Sequence, residues 1–113
     1  MYVTVVETEM YLAAAEKIMS AAEMEDVLAT IAMSPMAGDV IPGSQGLRKL
    51  RIPLQGRGKR GGGRVVYWYY NEGVPLLLMW AYSKSKTNDL TSEQAKLFTK
   101  VAHSTLESYR NRE

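Results

Sequence analysis

The side chains of this chain that are best suited to chemistry are concentrated in one segment. Seven of the fourteen lysines and arginines lie between Arg48 and Arg64, where there is no acidic residue, and the rest of the chain has seven bases against twelve acids. A dense group of positive charges in a nearly neutral protein is typical of a surface that binds a polyanion, and nucleic acid is the polyanion that this pattern favours.

The spacing within the segment predicts where these charges lie. Alternation along a strand places Lys49 and Arg51 on one face, with the apolar residues between and after them on the other. Arg64 begins the next predicted strand, and it lies beside that face if the two strands pair. The sequence therefore predicts a cationic face made of Lys49, Arg51 and Arg64.

The connection between these strands is rich in glycine, which allows close approach to a phosphate backbone. It is not a nucleotide phosphate loop, because Lys59 is followed by Arg60 instead of serine or threonine, and a strand follows instead of a helix. An alternative is a solvated hairpin whose charges protect an edge strand. We interpret the following bases as contacts to the phosphate backbone of a nucleic acid: Arg48, Arg57, Lys59, Arg60 and Lys86.

Other chemistries are restricted by composition. The chain has no cysteine, which excludes disulfides and a thiol nucleophile, and His103 is its only histidine, which excludes a pair of histidines as acid and base or as metal ligands. We expect no metal and no cofactor. No apolar run reaches the roughly 20 residues of a membrane span, so we expect no membrane association and a cytoplasmic location.

The hydrophobic pattern predicts an α+β fold with the order β-α-α-β-β-β-α, in a single domain spanning residues 1–113. The two strands before the last helix are apolar on both faces, so they should be central in a mainly antiparallel sheet. The acidic first third predicts a helical scaffold that does not contact phosphate. The predicted elements are a strand at Tyr2–Glu7, helices at Met10–Met19 and from Ser20 to Pro35, a loop at Pro35–Gly46, strands at Leu47–Leu54, Val65–Tyr70 and Leu76–Tyr82, and a helix capped by Thr91 that ends near Tyr109.

Several of these motifs together resemble the HigB branch of the RelE/ParE toxin superfamily. The resemblance rests on the segments Gly38–Gly43, Gly46–Arg51, Gly56–Tyr67 and Asp89–Thr91. It implies the toxin of a type II toxin–antitoxin pair, with two N-terminal helices on a mainly antiparallel sheet. Such toxins cleave mRNA in the ribosomal A site, so the resemblance implies mRNA, the ribosome and a cognate antitoxin as partners. The antitoxin would be HigA-like, with a helix-turn-helix part.

The resemblance also implies roles for individual residues. Lys49 and Arg51 match the paired strand lysines of RelE, and Arg64 matches its strand arginine. The arginines would stabilise charge on the reacting phosphate. Crowding by these like charges favours the neutral form of Lys49, which makes it the candidate general base.

The chain departs from the RelE pattern after the last strand, where Thr91 stands near the position of a RelE tyrosine. Lys84 could supply one of the missing cations, and Tyr82 could supply a hydroxyl or a ring that stacks on a base. The alternative for Tyr82 is a packing residue at the end of a strand.

Two other functions fit the same sequence. A ParE-like protein of this fold would inhibit DNA gyrase by binding and would perform no RNA chemistry, but it would lack the cationic strand residues. A module that only binds RNA or the ribosome needs nothing beyond the charge distribution. We expect the cationic face to attract an acidic or partly disordered segment of the antitoxin. Toxins of this family are also inhibited by wedging or by a block to ribosome entry.

Overall fold

The structure is a computed structural model that describes residues 3–54, 62–84 and 90–111. Its elements in chain order are β1 (Val5–Glu7), α1 (Glu9–Ala15), α2 (Ala21–Met33), β2 (Asp39–Val40), β3 (Leu47–Ile52), β4 (Gly63–Trp68), β5 (Leu76–Ser83) and α3 (Ser92–Arg110). The predicted α+β architecture is confirmed. The first helix ends earlier than predicted, at Ala15 instead of Met19.

The five strands form one sheet in the order β1-β5-β4-β3-β2. The pairs β2–β3, β3–β4 and β4–β5 are antiparallel, and β1 lies parallel to β5. β2 is an addition to the predicted order, because its two residues fall within the segment predicted as a loop. Asp39 pairs with Lys49 and Val40 with Arg48, and the Ile41 amide donates to the Leu47 carbonyl at 2.9 Å. A strand of two residues has no periodicity that a sequence could reveal.

The central strands β4 and β5 are buried on both faces, as their composition predicts. One face packs against α1 and α2 in a cluster that includes Val65, Tyr67 and Leu78. The other packs beneath α3 in a cluster that includes Val66 and Trp68. Because successive strand residues point to opposite faces, one apolar run serves both layers. Helices therefore cover the sheet on each side.

Short polar side chains define where the helices begin. Thr8 accepts a hydrogen bond from the Tyr11 amide and donates to the Leu78 carbonyl, so one hydroxyl both caps α1 and fixes it to β5. Ser20 begins α2 with a capping box. The predicted capping box of Thr91 and Gln94 is confirmed at the start of α3. None of the helices in the described ranges is both long enough and apolar enough to cross a bilayer.

A buried tyrosine makes the stability of this core dependent on pH. The Tyr11 side chain is fully buried, and within the described residues its hydroxyl has no hydrogen-bond partner. Burial, with a smaller contribution from the charge of Glu7, raises the pKa of Tyr11 to about 12. The unfolded chain ionises this group near pH 10, so the folded state holds the proton longer and its stability falls as the pH rises above 10.

We expect Tyr11→Phe to remove this part of the pH dependence. Between pH 10 and 11 the wild type should lose ~1 kcal/mol of unfolding free energy through this one proton, because the unfolded group is already half ionised at pH 10. The variant should lose correspondingly less and should be at least as stable as the wild type at pH 7, because the buried hydroxyl that it removes makes no hydrogen bond. Urea unfolding at pH 7, 9, 10 and 11 measures the effect. Equal slopes for the two proteins would contradict the assignment.

Candidate functional site

The pairing of β3 with β4 brings three of the predicted site residues onto one face of the sheet. Arg51 lies directly opposite Arg64, and Lys49, two residues earlier on the same face, lies opposite Val66. Arg51 is exposed, while Lys49 and Arg64 are half-buried. We call these three residues the cationic row. The predicted pairing of the strands, and with it the neighbourhood of Arg51 and Arg64, is confirmed.

Two members of the cationic row, Arg51 and Arg64, repel each other in the free protein. Directly opposite residues on antiparallel strands have Cβ atoms ~5 Å apart, and like charges at that distance destabilise the sheet. Arg51 and Arg64 form such a pair. A bound anion would remove this repulsion, so the arrangement suits a site for a phosphate group.

The glycines next to Arg64 let the backbones come close together at this end of the sheet. A Cβ atom on Gly62 would lie 2.9 Å from the Ile52 carbonyl oxygen, and one on Gly63 would lie 3.1 Å from the Tyr82 carbonyl oxygen. Any larger residue would therefore push the strands apart beside the cationic row. Close strand packing explains these two glycines without a ligand.

Lys84 lies at the same end of the sheet as Arg64. Its amide donates to the Gly62 carbonyl at 3.1 Å, which fixes the end of β5 to the start of β4. The Arg64 guanidinium donates to the Gly63 carbonyl at 3.0 Å, which orients its side chain at the edge of the row. Lys84 is exposed. Its position is compatible with the predicted role as an additional cation.

Tyr82 lies directly opposite Arg64, but its side chain is part of the core. The side chain is 3% exposed and the ring packs against Trp80 with centroids 4.8 Å apart. A ring with so little exposed surface offers no open face to a base. The structure thus favours the packing interpretation of Tyr82 over the stacking one.

Arg48 does not join the cationic row. It shares the opposite face of β3 with Leu50, and its guanidinium donates to the Met36 carbonyl at 3.2 Å and the Gly38 carbonyl at 2.8 Å. Beside it, the buried Tyr67 hydroxyl donates to the Pro35 carbonyl and accepts from the Gly38 amide, each at 2.8 Å. These contacts indicate that Arg48 braces the connection from α2 to β2, and its predicted contact to RNA stays a prediction.

The contacts around Arg48 also affect the pKa of Tyr67. Burial raises the pKa of Tyr67, and the hydrogen bond from Gly38 and the charge of Arg48 offset part of that rise.

Four other predicted contacts lie outside the described residues, and their roles stay predictions: Arg57, Lys59, Arg60 and Lys86. In the described ranges, no group of three or more histidine, aspartate or glutamate side chains is placed to ligate a metal ion.

The sequence interpretation missed a second basic surface, on α3. A cavity of about 710 Å³ lies between α3 and the loop from Ile41 to Gln45, and its lining includes Lys96, Lys100 and His103. Spacings of four and three residues place these side chains on one helix face, which is a signal that the sequence contains. The opposing loop could not be inferred from that signal. Thr91 also lines the cavity, and its hydroxyl caps α3 by accepting from the Gln94 amide at 3.1 Å.

The architecture that carries these residues has a counterpart among solved structures. No protein-family model matches the chain. The structure is similar to that of the E. coli toxin RelE, solved in the free state as a double arginine-to-alanine mutant, with a TM-score of 0.58 and 19% sequence identity. The match covers 88% of this chain and 97% of that chain. At this identity the likeness shows a shared fold, so the chain has a RelE-like fold.

Proposed function

We propose that this chain is the toxin of a type II toxin–antitoxin pair, of the RelE/ParE superfamily and its HigB branch, and that it cleaves mRNA on the ribosome. The observation that carries the proposal is the cationic row on a RelE-like sheet, where Arg51 and Arg64 face each other across two strands. A shared fold alone does not determine activity, so the chemistry of the row has to support it.

The cationic row suits phosphodiester cleavage by the neighbouring 2′-hydroxyl. In that reaction a base takes the 2′-hydroxyl proton, the 2′-oxygen bonds to phosphorus, and the bond from phosphorus to the 5′-oxygen breaks as that oxygen gains a proton. The products are a 2′,3′-cyclic phosphate and a 5′-hydroxyl. Negative charge grows on the phosphoryl oxygens in the transition state, where fixed guanidinium groups stabilise it most.

We assign the roles by position in the row. Arg51 and Arg64 hold and stabilise the phosphate, because guanidinium groups remain charged and can donate two hydrogen bonds to it. Lys49, next along the same face, takes the 2′-hydroxyl proton. Lys84, at the end of β5 near Arg64, adds a cation near the leaving oxygen. The ribosome supplies the orientation of the message, which accounts for a large part of the rate.

The partners follow from this proposal. The site acts on mRNA bound to ribosomes in the cytoplasm, and a cognate antitoxin, HigA-like with a helix-turn-helix part, silences it. We propose that an acidic segment of the antitoxin covers the cationic row, because opposite charge both attracts that segment and removes the repulsion between Arg51 and Arg64.

A ParE-like inhibitor of gyrase and a module that only binds RNA are the competing functions. A gyrase inhibitor has no use for three bases aligned on one sheet face, so the cationic row argues against it. A binding module would use the row for charge alone, and then its lysines and arginines would be interchangeable. The position of Lys49 on the same face as Arg51 and Arg64 favours an enzyme, since a candidate base then lies near two guanidinium groups that can hold the phosphate.

A cell-free translation reaction tests the proposal. The protein is added to a translated message, to the same message without ribosomes, and to a gyrase supercoiling reaction, and primer extension maps the mRNA ends. We expect new ends only in the translated sample. An intact message with blocked supercoiling would establish the ParE-like alternative, and translation that stops without new ends would establish the binding module.

A further inference from the structure

The cavity beside α3 is a second basic surface that the proposed reaction does not use. Lys96, Lys100 and His103 line it from the helix, and no acidic residue is among the described lining residues. Lys96 and Lys100 lie one helical turn apart, so their Cα atoms are ~6 Å apart along the helix axis. Two lysines at this spacing, with a histidine beside them, can contact successive anionic groups.

The opposite wall of the cavity is a loop in which three backbone carbonyls already accept hydrogen bonds. The carbonyl of Ile41 accepts from the Ser44 amide and hydroxyl, the Ser44 carbonyl accepts from Thr99 at 3.2 Å, and the Gln45 carbonyl accepts from Trp68 at 3.3 Å. These three carbonyls are engaged in hydrogen bonds within the fold. The described part of this wall has no acidic side chain, so it places no negative charge opposite the helix bases.

The loop is also held in a fixed shape. Gln45 has a positive φ of 57°, which is uncommon for a residue with a side chain. A Cβ atom on Gly46 would lie 3.0 Å from the Trp68 indole nitrogen, so the loop packs closely on β4. A wall that is already ordered loses little entropy when a ligand binds.

The cavity and the cationic row lie on the same side of the sheet. Leu47 packs beneath α3 with Phe98 and Ala102, and alternation along β3 puts Lys49 and Arg51 on the same face as Leu47. The Leu47 carbonyl accepts from the amide of Ile41, the first residue of the cavity wall, at 2.9 Å. Along the strand, Arg51 is ~14 Å from Leu47. A short single strand of RNA can extend across that distance.

We infer that the cavity between α3 and the Ile41–Gln45 loop binds phosphates of single-stranded RNA that continues from the cationic row. Lys96 and Lys100 contact the phosphates, and His103 and the apolar lining contact the sugar or base. The inference rests on the proposed function for the choice of RNA as the anion. The two phosphate contacts on α3 can be measured as RNA binding, without any cleavage.

Binding of a fluorescein-labelled RNA oligonucleotide, followed by fluorescence polarisation at several salt concentrations, tests the inference. The test variant is Lys96→Gln with Lys100→Gln. The control is Lys17→Gln with Arg110→Gln, which removes the same charge from outside the cavity lining. We expect the test variant to bind about tenfold more weakly, and the slope of log Kd against log salt to fall by ~1.4, since each phosphate contact to a single strand contributes ~0.7. The control should stay close to the wild type.

The outcomes separate this inference from the proposed function. A wild-type protein that binds no RNA at low salt, or an equal loss in test and control variants, would overturn the inference. So would a test variant that loses binding to a labelled glutamate-rich peptide but keeps binding to RNA, because the cavity would then be an antitoxin site. If RNA binding depends on the two lysines but the wild type cleaves no translated message, the proposed function fails and the inference stands.

Discussion

Replacing Arg64 with glutamine is expected to slow translation-dependent mRNA cleavage about 100-fold or more, because removal of one fixed donor from a charged transition state typically costs this much. Arg64 lies at the centre of the proposed site, opposite both Arg51 and Tyr82. Glutamine keeps a polar side chain of similar reach but removes the charge. The initial rate of appearance of cleaved message in a cell-free translation reaction measures the effect.

The matched control for this variant is Arg110→Gln. Arg110 lies at the end of α3, where its guanidinium is 5.9 Å from the centre of the Tyr70 ring, and it belongs to neither basic surface. Both variants lose one arginine charge, so a general electrostatic effect would slow both. Thermal unfolding should show that Arg64→Gln is as stable as the wild type, since relief of its repulsion with Arg51 offsets the lost hydrogen bond. Cleavage by Arg64→Gln at the wild-type rate would remove Arg64 from the mechanism.

Substitution by alanine is expected to reduce stability at Arg48 and to reduce cleavage activity at its neighbour Lys49. Arg48→Ala should lower the unfolding free energy by about 2–3 kcal/mol, because two hydrogen bonds from a charged group to carbonyls are lost beside the buried Tyr67 hydroxyl. That corresponds to a fall in Tm of about 10 °C. Lys49→Ala should change stability by less than about 1 kcal/mol. It should slow cleavage by at least about 100-fold, the usual loss for a missing general base.

Differential scanning calorimetry of both variants measures the change in stability. The translation assay is run on both variants at a temperature where each is folded, and it measures the change in cleavage. Each variant is the control for the other, since one positive charge is lost from adjacent positions of the same strand. A stable Arg48→Ala protein with impaired cleavage would return Arg48 to the RNA-binding surface. A destabilised Lys49→Ala protein with normal cleavage would reverse the assignment of the two faces.

The sequence predicts the central part of the fold because that part has strong periodic signals. The apolar runs of β4 and β5 and the turn at Asn71–Gly73 specify a buried antiparallel pair, and Thr91 with Gln94 specifies the start of α3. β2 gave no signal, since it consists of two residues among turn formers and is held by its pairing with β3. Its existence depends on a tertiary contact.

For the candidate site, strand alternation predicts which side chains share a face of β3, but it does not predict what they contact. The same period of two that groups Lys49 with Arg51 places Arg48 on the opposite face, so its exclusion from the row was within reach of the sequence. Its use as a brace was not, because the carbonyls that it binds come from the end of α2 and the start of β2. The sequence left the role of Tyr82 open between stacking and packing for a similar reason, since only the packing of Trp80 against its ring shows that it is covered.

The α3 cavity was beyond sequence reasoning in a different way. The spacing of Lys96, Lys100 and His103 on one helix face is visible in the sequence, but a basic helix face is usually only solvated. The loop that ends at Gln45 forms the second wall of the cavity. The hydrogen bond from the Thr99 hydroxyl to the Ser44 carbonyl joins this loop to α3. Segments that are distant in the chain have to meet before the cavity exists.

The most direct test of the central claim uses the nucleophile itself. Ribosomes are programmed with a message cut by the wild-type protein, and with the same message carrying a single 2′-deoxynucleotide on the 5′ side of the cut position. We expect cleavage of the first message, with a 2′,3′-cyclic phosphate on its upstream fragment, and no cleavage of the second at that position. Equal cleavage of both messages at that position would contradict the assignment of the cationic row to RNA cleavage by the 2′-hydroxyl.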